Sequence, residues 1–179
     1  MRDEKAIELI QNNNPDGLRI LMDRYIPYVS AVVWNILRSA MTVQDAEEVV
    51  SDVFMAAWNQ PQDLHAGKVK AWLGAVARHK ARNALRAAGQ DLPLEEDVLE
   101  LPDAPPSEKL EREEEKRLVR QAVESLSPKD REIFLRHYYY AQPVKDISRE
   151  MKMPEATVKT RLRRGRMKLK EFLSGRDIV

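Results

Sequence analysis

One stretch near the carboxyl end, residues 143–170, constrains the fold more than any other, because it predicts two helices separated by a tight break. The inward positions of the first helix recur at helical spacing and are Val144, Ile147, Ser148 and Met151. Lys152 and Met153 form the break. Pro154 suits the first position of the next helix, where a missing N–H costs nothing, and Glu155 favours the positive end of the helix dipole. The stretch therefore predicts two short helices that each pack through one face.

The second of these helices has one apolar stripe and one basic face. The stripe steps by four, three, four and three residues through Val158, Leu162, Gly165, Leu169 and Phe172. Gly165 leaves room in it for another backbone to approach closely. The opposite face carries Lys159, Thr160, Arg161, Arg163, Arg164, Arg166, Lys168 and Lys170. Lysine and arginine hold phosphates and arginine also pairs with guanine, so the pattern predicts a helix-turn-helix with its recognition helix from Pro154 onward. The alternative is a solvated basic face on a core helix, which the break and the stripe disfavour.

The net charge of +1 conceals three segments of different charge. Residues 1–90 hold 11 Lys and Arg against 10 Asp and Glu, and residues 91–117 hold 4 against 11. Residues 118–179 hold 15 against 8. Because the local field attracts nucleic acid, a basic C-terminal unit beside an acidic middle segment fits DNA binding in spite of the nearly neutral total.

Composition excludes several classes of function. The chain has no cysteine, which rules out a disulfide framework and a cysteine-ligated metal and fits a reducing compartment. Its three histidines lie in different elements without metal-ligand spacing, and it has no P-loop and no GxGxxG motif. It also has no 18-residue apolar run and no secretory signal. We therefore expect a cytoplasmic protein without membrane insertion, enzymatic activity, cofactor, bound metal or small-molecule substrate.

The whole chain predicts an all-α fold of two small helical domains joined by an acidic, proline-rich linker. In the first half, helices are predicted over residues 5–11, 18–39, 43–59 and 69–88. Pro27 predicts a kink or two abutting helices, and Thr42 with Asp45 predicts a capping box. Ser127 and Pro128 begin a later helix. The predicted parts are a first domain at 1–89, the linker at 90–112, and a second domain with the helix-turn-helix at 113–179.

The polar side of the helix predicted over 69–88 is a second basic face. It carries Lys70, Arg78, His79, Lys80, Arg82, Asn83 and Arg86. Arginines, an amide and a histidine near Trp72 are typical of a surface that holds a nucleic-acid backbone and stacks exposed bases. Arginine-rich solvent faces are also ordinary, so this face alone is a weak signal.

Five segments in order make the chain similar to the extracytoplasmic-function group (group 4) of bacterial sigma factors in the sigma-70 family. They are NNPDGLRILMDRY, DAEEVVSDVFMAAW at 45–58, KAWLGAVARHKARNALR at 70–86, LSPKDREIFLRHYYY at 126–140, and the helix-turn-helix. The sequence departs from the family pattern at Ser51, His79 and Asn83, and YYYAQPV lacks the usual glycine before the helix-turn-helix.

The resemblance implies a function and the residues that carry it. Proteins of this group bind core RNA polymerase, direct it to promoters through −10 and −35 elements and help to initiate transcription. For the −35 element the residues are Glu155, Lys159, Thr160, Arg161, Arg163, Arg164 and Arg166. For the −10 element they are Asn59, Asp63, His65, Lys68, Lys70, Trp72, Arg78, His79, Arg82, Asn83 and Arg86. For core polymerase they are Asp45, Glu48, Ser51, Asp52, Phe54 and Trp58.

The implied partners are the beta-prime clamp helices and the beta flap of core RNA polymerase, promoter DNA, and an anti-sigma factor. Glu155 has two interpretations, a hydrogen bond from a cytosine amino group and a carboxylate placed at a helix N-terminus. The alternative for the chain as a whole is a stand-alone helix-turn-helix regulator that does not act through core polymerase. Such a regulator usually needs a dimer surface, and no heptad or dimerisation stripe is evident.

Overall fold

The computed structural model describes residues 2–93 and 109–175, which belong to two compact units. The first unit contains α1 (Arg2–Gln11), α2 (Pro15–Leu37), α3 (Val43–Asn59), a 3-10 turn (Pro61–Asp63) and α4 (Val69–Ala87). The second contains α5 (Lys109–Glu124), α6 (Pro128–Phe134), a π-helical turn (Leu135–Tyr139), α7 (Val144–Met151) and α8 (Glu155–Ser174). The described residues form helices and no strands, so the predicted all-α class is confirmed. None of these helices is long and apolar enough to cross a membrane. Most of the linker predicted over 90–112 lies outside the described residues.

The start of α2 is fixed by a side-chain cap and by close packing against α1. The side chain of Asn14 accepts a hydrogen bond from the backbone N–H of Asp16 at 3.0 Å, and Pro15 occupies the first helical position. Gly17 then lies directly against α1, because a Cβ there would be only 2.5 Å from the carbonyl oxygen of Ala6. The absence of a side chain at this position is what lets the two backbones approach.

Helix α2 continues without interruption through Pro27, so of the two predicted alternatives, a kink or two abutting helices, the second is wrong. A proline in a helix interior removes one backbone hydrogen bond and crowds the preceding turn. The buried positions around it, among them Tyr25, Val29 and Val33, nevertheless keep helical spacing. Packing of this long apolar face against the other three helices outweighs the local cost.

The other helices of the first unit are placed by a capping box and an apolar core. Thr42 Oγ1 accepts from the Asp45 N–H at 3.2 Å, and Asp45 Oδ2 accepts from the Thr42 N–H at 2.9 Å, which confirms the predicted box. Helices α3 and α4 both pack against α2 and against each other. Large buried side chains of this core are Ile10, Leu21, Ile36, Leu37, Phe54, Leu73 and Leu85. One face of α3 and one of α4 are left to solvent.

The second unit packs around a buried cluster of Ile133, Ile147, Val158 and Leu162. Ser127 caps α6 by accepting a hydrogen bond from the Asp130 N–H at 3.3 Å, with Pro128 at the first helical position, as the sequence predicts. Helix α7 ends at Met151, and the capping residue Lys152 that follows it has a left-handed φ of 53°. The Ser148 hydroxyl donates to the Met153 carbonyl at 2.6 Å and closes the break. The predicted helix-turn-helix is therefore present as α7 and α8.

Two details of α8 differ from the sequence prediction. Pro154 stands at the N-cap, with ψ of 145°, and the helix begins at Glu155. The carbonyl of Pro154 accepts a hydrogen bond from the Val158 N–H at 3.1 Å, as the carbonyl of an N-cap residue does. Gly165 faces an aromatic ring and not a backbone, because a Cβ there would lie 3.4 Å from Cδ2 of Phe134. The space predicted for a backbone is filled by this side chain.

Candidate nucleic-acid and polymerase interfaces

The outer face of α8 is basic along most of its length. Val158, Leu162 and Gly165 are buried on the inner side, so the opposite side is held toward solvent. The exposed residues of the predicted −35 set are Glu155, Lys159, Arg163, Arg164 and Arg166. Thr160 is half-buried, and its hydroxyl donates to the Ala156 carbonyl at 2.9 Å. From the predicted −35 set the open face thus presents four cations and one carboxylate, and Lys168 and Lys170 further along α8 are exposed as well.

Arg161 has a different environment from its neighbours on α8. Its Nη1 lies 2.7 Å from Oδ1 of Asp130 in α6, 31 residues earlier in the chain. Burial by itself raises the pKa of Asp130, but hydrogen bonds from Arg161 and Ser127, together with the charges of Arg161 and Lys168, outweigh burial and hold that pKa below 3.8. A shallow depression between α6 and the N-terminal half of α8 is lined by Asp130, Ala156, Thr157, Thr160, Arg161 and Arg164. Arg161 is therefore separated from the residues that face outward, which sequence reasoning did not anticipate.

Arg166 is held by an aromatic side chain that sequence reasoning also missed. Its Nη1 donates to the hydroxyl of Tyr138 at 2.6 Å. The ring of Tyr138 lies 4.5 Å from that of Phe134 between centroids, and Phe134 packs on Gly165. Tyr138 is 45% exposed, whereas Tyr140 is buried and burial raises its pKa above the usual value. The run of three tyrosines therefore has one member at the edge of the basic face and one in the core.

A partly buried polar network links the segment before the helix-turn-helix to α7. Arg136 donates to Glu132 Oε1 at 3.0 Å, to Glu150 Oε2 at 2.8 Å and to Gln142 Oε1 at 3.3 Å. Nδ1 of His137 lies 3.1 Å from the Gln142 carbonyl oxygen. These contacts fix the orientation of α7 against α6, and α7 in turn supports α8.

The basic face of α4 is narrower than predicted. Its exposed members are Lys70, His79, Asn83 and Arg86, while Trp72 and Arg78 are half-buried. Arg82 is 4% exposed and lies on the inner side next to Ala81. Because α2 and α3 both pack on α4, its buried side is wide enough to include position 82. We therefore withdraw Arg82 from the predicted DNA-contacting residues.

Tyr28 of α2 contributes to the surface at the start of α4. The ammonium of Lys70 lies 4.8 Å from the centroid of the Tyr28 ring, within the range of a cation–π contact. The Tyr28 hydroxyl lies so close to Gly74 that a Cβ at Gly74 would collide with it. Glycine costs helix stability relative to alanine, so a glycine inside α4 was the sequence signal for this close approach.

His79 lies in a field of positive charge on α4. Partial burial, and then the charges of Arg82, Lys80 and Arg86, lower its pKa below the usual 6.5. The imidazole is therefore neutral at neutral pH in the free chain, and a nearby phosphate would favour its protonated form.

The segment between α3 and α4, together with Asn59 at the end of α3, has one buried residue and several exposed polar side chains. It contains the 3-10 turn, and Leu64 is buried directly after that turn. Its exposed polar side chains from the predicted −10 set are Asn59, Asp63, His65 and Lys68. Gly67 has a φ of 79°, which allows the chain to turn into α4. The loop thus presents polar groups next to the start of the basic face of α4.

The outer face of α3 is acidic. Glu48, Ser51 and Asp52 are exposed, and Trp58 is half-buried. Phe54 is 2% exposed and packs in the core, so we withdraw it from the predicted polymerase surface.

The carboxylate of Asp45, at the start of α3, is occupied by the capping box. It accepts from the hydroxyl and from the N–H of Thr42, and these bonds lower its pKa below 3.8. Asp45 is therefore engaged in the free chain, unlike the acidic residues further along α3.

Among the described residues, no group of three or more His, Asp or Glu side chains could hold a metal ion.

Comparison with known proteins identifies the family of the chain. The family model for sigma-70 region 2 matches residues 21–90, and the model for sigma-70 region 4 matches residues 116–169. The ECF RNA polymerase sigma factor SigL of Mycobacterium tuberculosis is 28% identical over 149 residues, which are 81% of this chain and 82% of that protein. The ECF RNA polymerase sigma factor RpoE of Cereibacter sphaeroides is 24% identical over 158 residues, 86% of this chain and 84% of that protein.

A solved structure of CnrH in complex with the cytosolic domain of CnrY aligns with 98% of this chain and 99% of its own, at 18% identity and a TM-score of 0.43. The two family models match both of the helical units in the expected order, and the relatives span most of the chain. The chain belongs to the sigma-70 family, in its extracytoplasmic-function group, and is an alternative sigma factor that directs RNA polymerase to promoters.

Proposed function

We propose that the chain engages the −35 element through α8, the −10 element through α4 and the loop before it, and core polymerase through α3. The observation that carries this proposal is that two basic helix faces lie on two separate units, each opposite a buried apolar stripe. Packing of the inner stripe holds each outer face in a fixed orientation. Two rigid basic faces on separate units match a promoter with two separated recognition elements.

At the −35 element we assign groove reading to the N-terminal half of α8. In helix-turn-helix proteins the N-terminal residues of the recognition helix reach base edges. Arg163 and Arg164 suit guanine O6 and N7, and Lys159 suits a phosphate. Arg166, held by Tyr138 at the edge of the face, also suits a phosphate. Glu155→Gln separates the two interpretations of Glu155, because the substitution changes the preferred DNA sequence only if Glu155 contacts a base.

At the −10 element we assign backbone contacts to the exposed cations of α4 and base contacts to the preceding loop. Lys70 and Arg86 supply positive charge at the two ends of the face, with His79 and Asn83 between them. The exposed amide, carboxylate and imidazole of the loop offer hydrogen bonds to an unstacked base. Half-buried Trp72 offers a surface for stacking.

For core polymerase we assign the beta-prime clamp helices to the outer face of α3. Glu48 and Asp52 would repel DNA, so a protein partner with basic residues fits this face better than nucleic acid. On the basis of family membership we also include in the proposal a contact of the second unit with the beta flap and control by an anti-sigma factor. Transcription by bacterial polymerase takes place in the cytoplasm, which is the location we propose for the chain.

Two pairs of substitutions test these assignments in the full chain. Lys159→Ala with Arg164→Ala should weaken promoter DNA binding by about 1–3 kcal/mol, because a bidentate contact with a base is lost. The same double variant should leave core binding intact. Glu48→Lys with Asp52→Lys should weaken core binding and spare DNA binding. Arg117→Ala, which removes an exposed cation of α5, is the matched control and should change neither. Equal loss of both activities in a folded variant would contradict the assignment.

A further inference from the structure

A carboxylate lies inside the basic surface that the proposed function assigns to DNA. Asp130 is the third residue of α6, and its Oδ1 accepts from Arg161 Nη1 at 2.7 Å. The hydroxyl of Ser127 is a second partner of the same carboxylate. Both members of the ion pair are partly shielded from solvent. The pair is therefore a short, charge-assisted contact of the stronger kind.

The position of this pair on α8 determines what it meets when DNA approaches. Two rows of α8 residues line the depression beside it: Ala156, Thr160 and Arg164 in one row, and Thr157 and Arg161 in the other. Residues of the first row are four positions apart and lie on the outward side of α8. Each residue of the second row follows one of the first row in sequence and lies on the side of α8 nearer to α6. A duplex whose groove receives the first row brings the phosphates at its edge to the second. A duplex bound in this way would bring such a phosphate to Asp130 and Arg161.

We infer that Asp130 competes with DNA phosphate for Arg161 and thereby limits the affinity of the free chain for DNA of any sequence. This inference rests on the proposed function, because it requires α8 to face DNA. While Asp130 neutralises Arg161, the guanidinium adds no phosphate contact, and the carboxylate repels an approaching phosphate. The cost is the same for every sequence, so only sites that gain base contacts elsewhere on α8 overcome it.

For a sigma factor, this uniform cost matters most at non-specific sites, where no base contacts compensate for it. Contacts with the phosphate backbone of DNA supply most of the non-specific affinity of DNA-binding proteins, and non-specific sites greatly outnumber promoters. Withholding one arginine from the phosphates lowers this background, while Lys159, Arg163 and Arg164 remain for the promoter. The free chain therefore stays available for core polymerase.

The test is to titrate the full chain into a labelled random-sequence duplex and to measure binding by fluorescence anisotropy at several salt concentrations. Asp130→Asn keeps the shape of the side chain and releases Arg161, so affinity should rise about three- to tenfold and the slope of log K against log salt should steepen by about 0.9, one phosphate. Arg161→Ala alone should change the slope by much less than that amount. In the Asp130→Asn background, Arg161→Ala should abolish the gain.

Three results would overturn the inference. One is unchanged or weaker DNA binding by folded Asp130→Asn. Another is a salt slope that becomes shallower by about 0.9, the value for one phosphate, in Arg161→Ala alone. That result would mean that Arg161 already binds DNA in the unchanged chain. The third is a gain in Asp130→Asn that survives Arg161→Ala. If Asp130→Asn does not fold, as circular dichroism would show, the slope of Arg161→Ala still decides between the two accounts.

Failure of the proposed function has a different signature in the same titration. Lys159→Ala and Arg164→Ala should each weaken binding to the random duplex, since both side chains are exposed on the face assigned to DNA. If neither variant has any effect, α8 does not face DNA and the proposed function fails. If both weaken binding while Asp130→Asn does not strengthen it, the inference about Asp130 fails alone.

Discussion

The guanidinium of Arg136 lies 2.8 Å from the carboxylate of Glu150, and this ion pair joins the π-helical turn to α7. The same guanidinium binds Glu132 at 2.9 Å, and only 14% of the Arg136 side chain is exposed. Two carboxylates and the buried Gln142 therefore depend on one arginine for their orientation.

Arg136→Ala should lower the free energy of unfolding of the second unit by about 2 kcal/mol, because it leaves partly buried acceptors without their donor. All three tryptophans lie in the first unit, so loss of far-UV circular dichroism without a change in tryptophan fluorescence reports on the second. Arg149→Ala is the control, since its ion pair with Asp146 is 3.2 Å long and its side chain is 64% exposed. The control should cost less than about 1 kcal/mol, and an equal loss in both variants would contradict the role given to Arg136.

Ala141→Gly should stabilise the second unit by about 1 kcal/mol. Ala141 has a φ of 51°, in the left-handed region that costs a residue with a Cβ roughly 1–2 kcal/mol, and glycine recovers most of that. Asn13→Gly is the comparison, because asparagine tolerates its φ of 55° and should gain little. Thermal unfolding measures both, and no gain at Ala141 would argue against strain there.

Gly17→Ala should destabilise the first unit by about 1–3 kcal/mol, because the new Cβ would be forced against the α1 backbone at Ala6. Gly165→Ala should change the stability of the second unit by less than about 1 kcal/mol, since its Cβ meets only the edge of Phe134 and alanine favours helix. Chemical denaturation of each variant provides the comparison. A large loss at Gly165 with none at Gly17 would mean that the packing described for both positions is wrong.

The ion pair of Asp130 should give stability that depends on acid pH. Its pKa in the folded chain lies below 3.8, so its contribution is present above 3.8 and is lost as the pH falls through the lower folded value. The difference in unfolding free energy between the unchanged chain and Asp130→Asn should therefore be constant near neutral pH and shrink toward zero in strong acid. A difference that grows as the pH falls would have the wrong sign for a carboxylate with a lowered pKa.

Local signals in the sequence predicted most of the helices and their ends. Thr42 with Asp45 and Ser127 before Pro128 each satisfy backbone groups within a few residues, so a short window of sequence contains the whole interaction. The same holds for the spacing of Val158 and Leu162, which placed the inner side of α8.

Contacts between distant residues were not predictable in the same way. Asp130 with Arg161 and Tyr138 with Arg166 join elements about thirty residues apart, and neither pair has a local pattern. Arg82 was assigned to the polar side of its helix, whereas packing on two helices buries it. Phe54 was assigned to the polymerase surface from the family resemblance, whereas packing of α3 buries its side chain.

The most direct test of the central claim is transcription by purified core RNA polymerase with this chain, using sheared DNA from its own genome and sequencing of the 5′ ends. The account predicts starts that depend on the chain, share −10 and −35 elements, and disappear with Glu48→Lys and Asp52→Lys in α3 or with Lys159→Ala and Arg164→Ala in α8. Starts that are the same with and without the chain, despite stoichiometric binding to core, would contradict promoter recognition by these two helix faces.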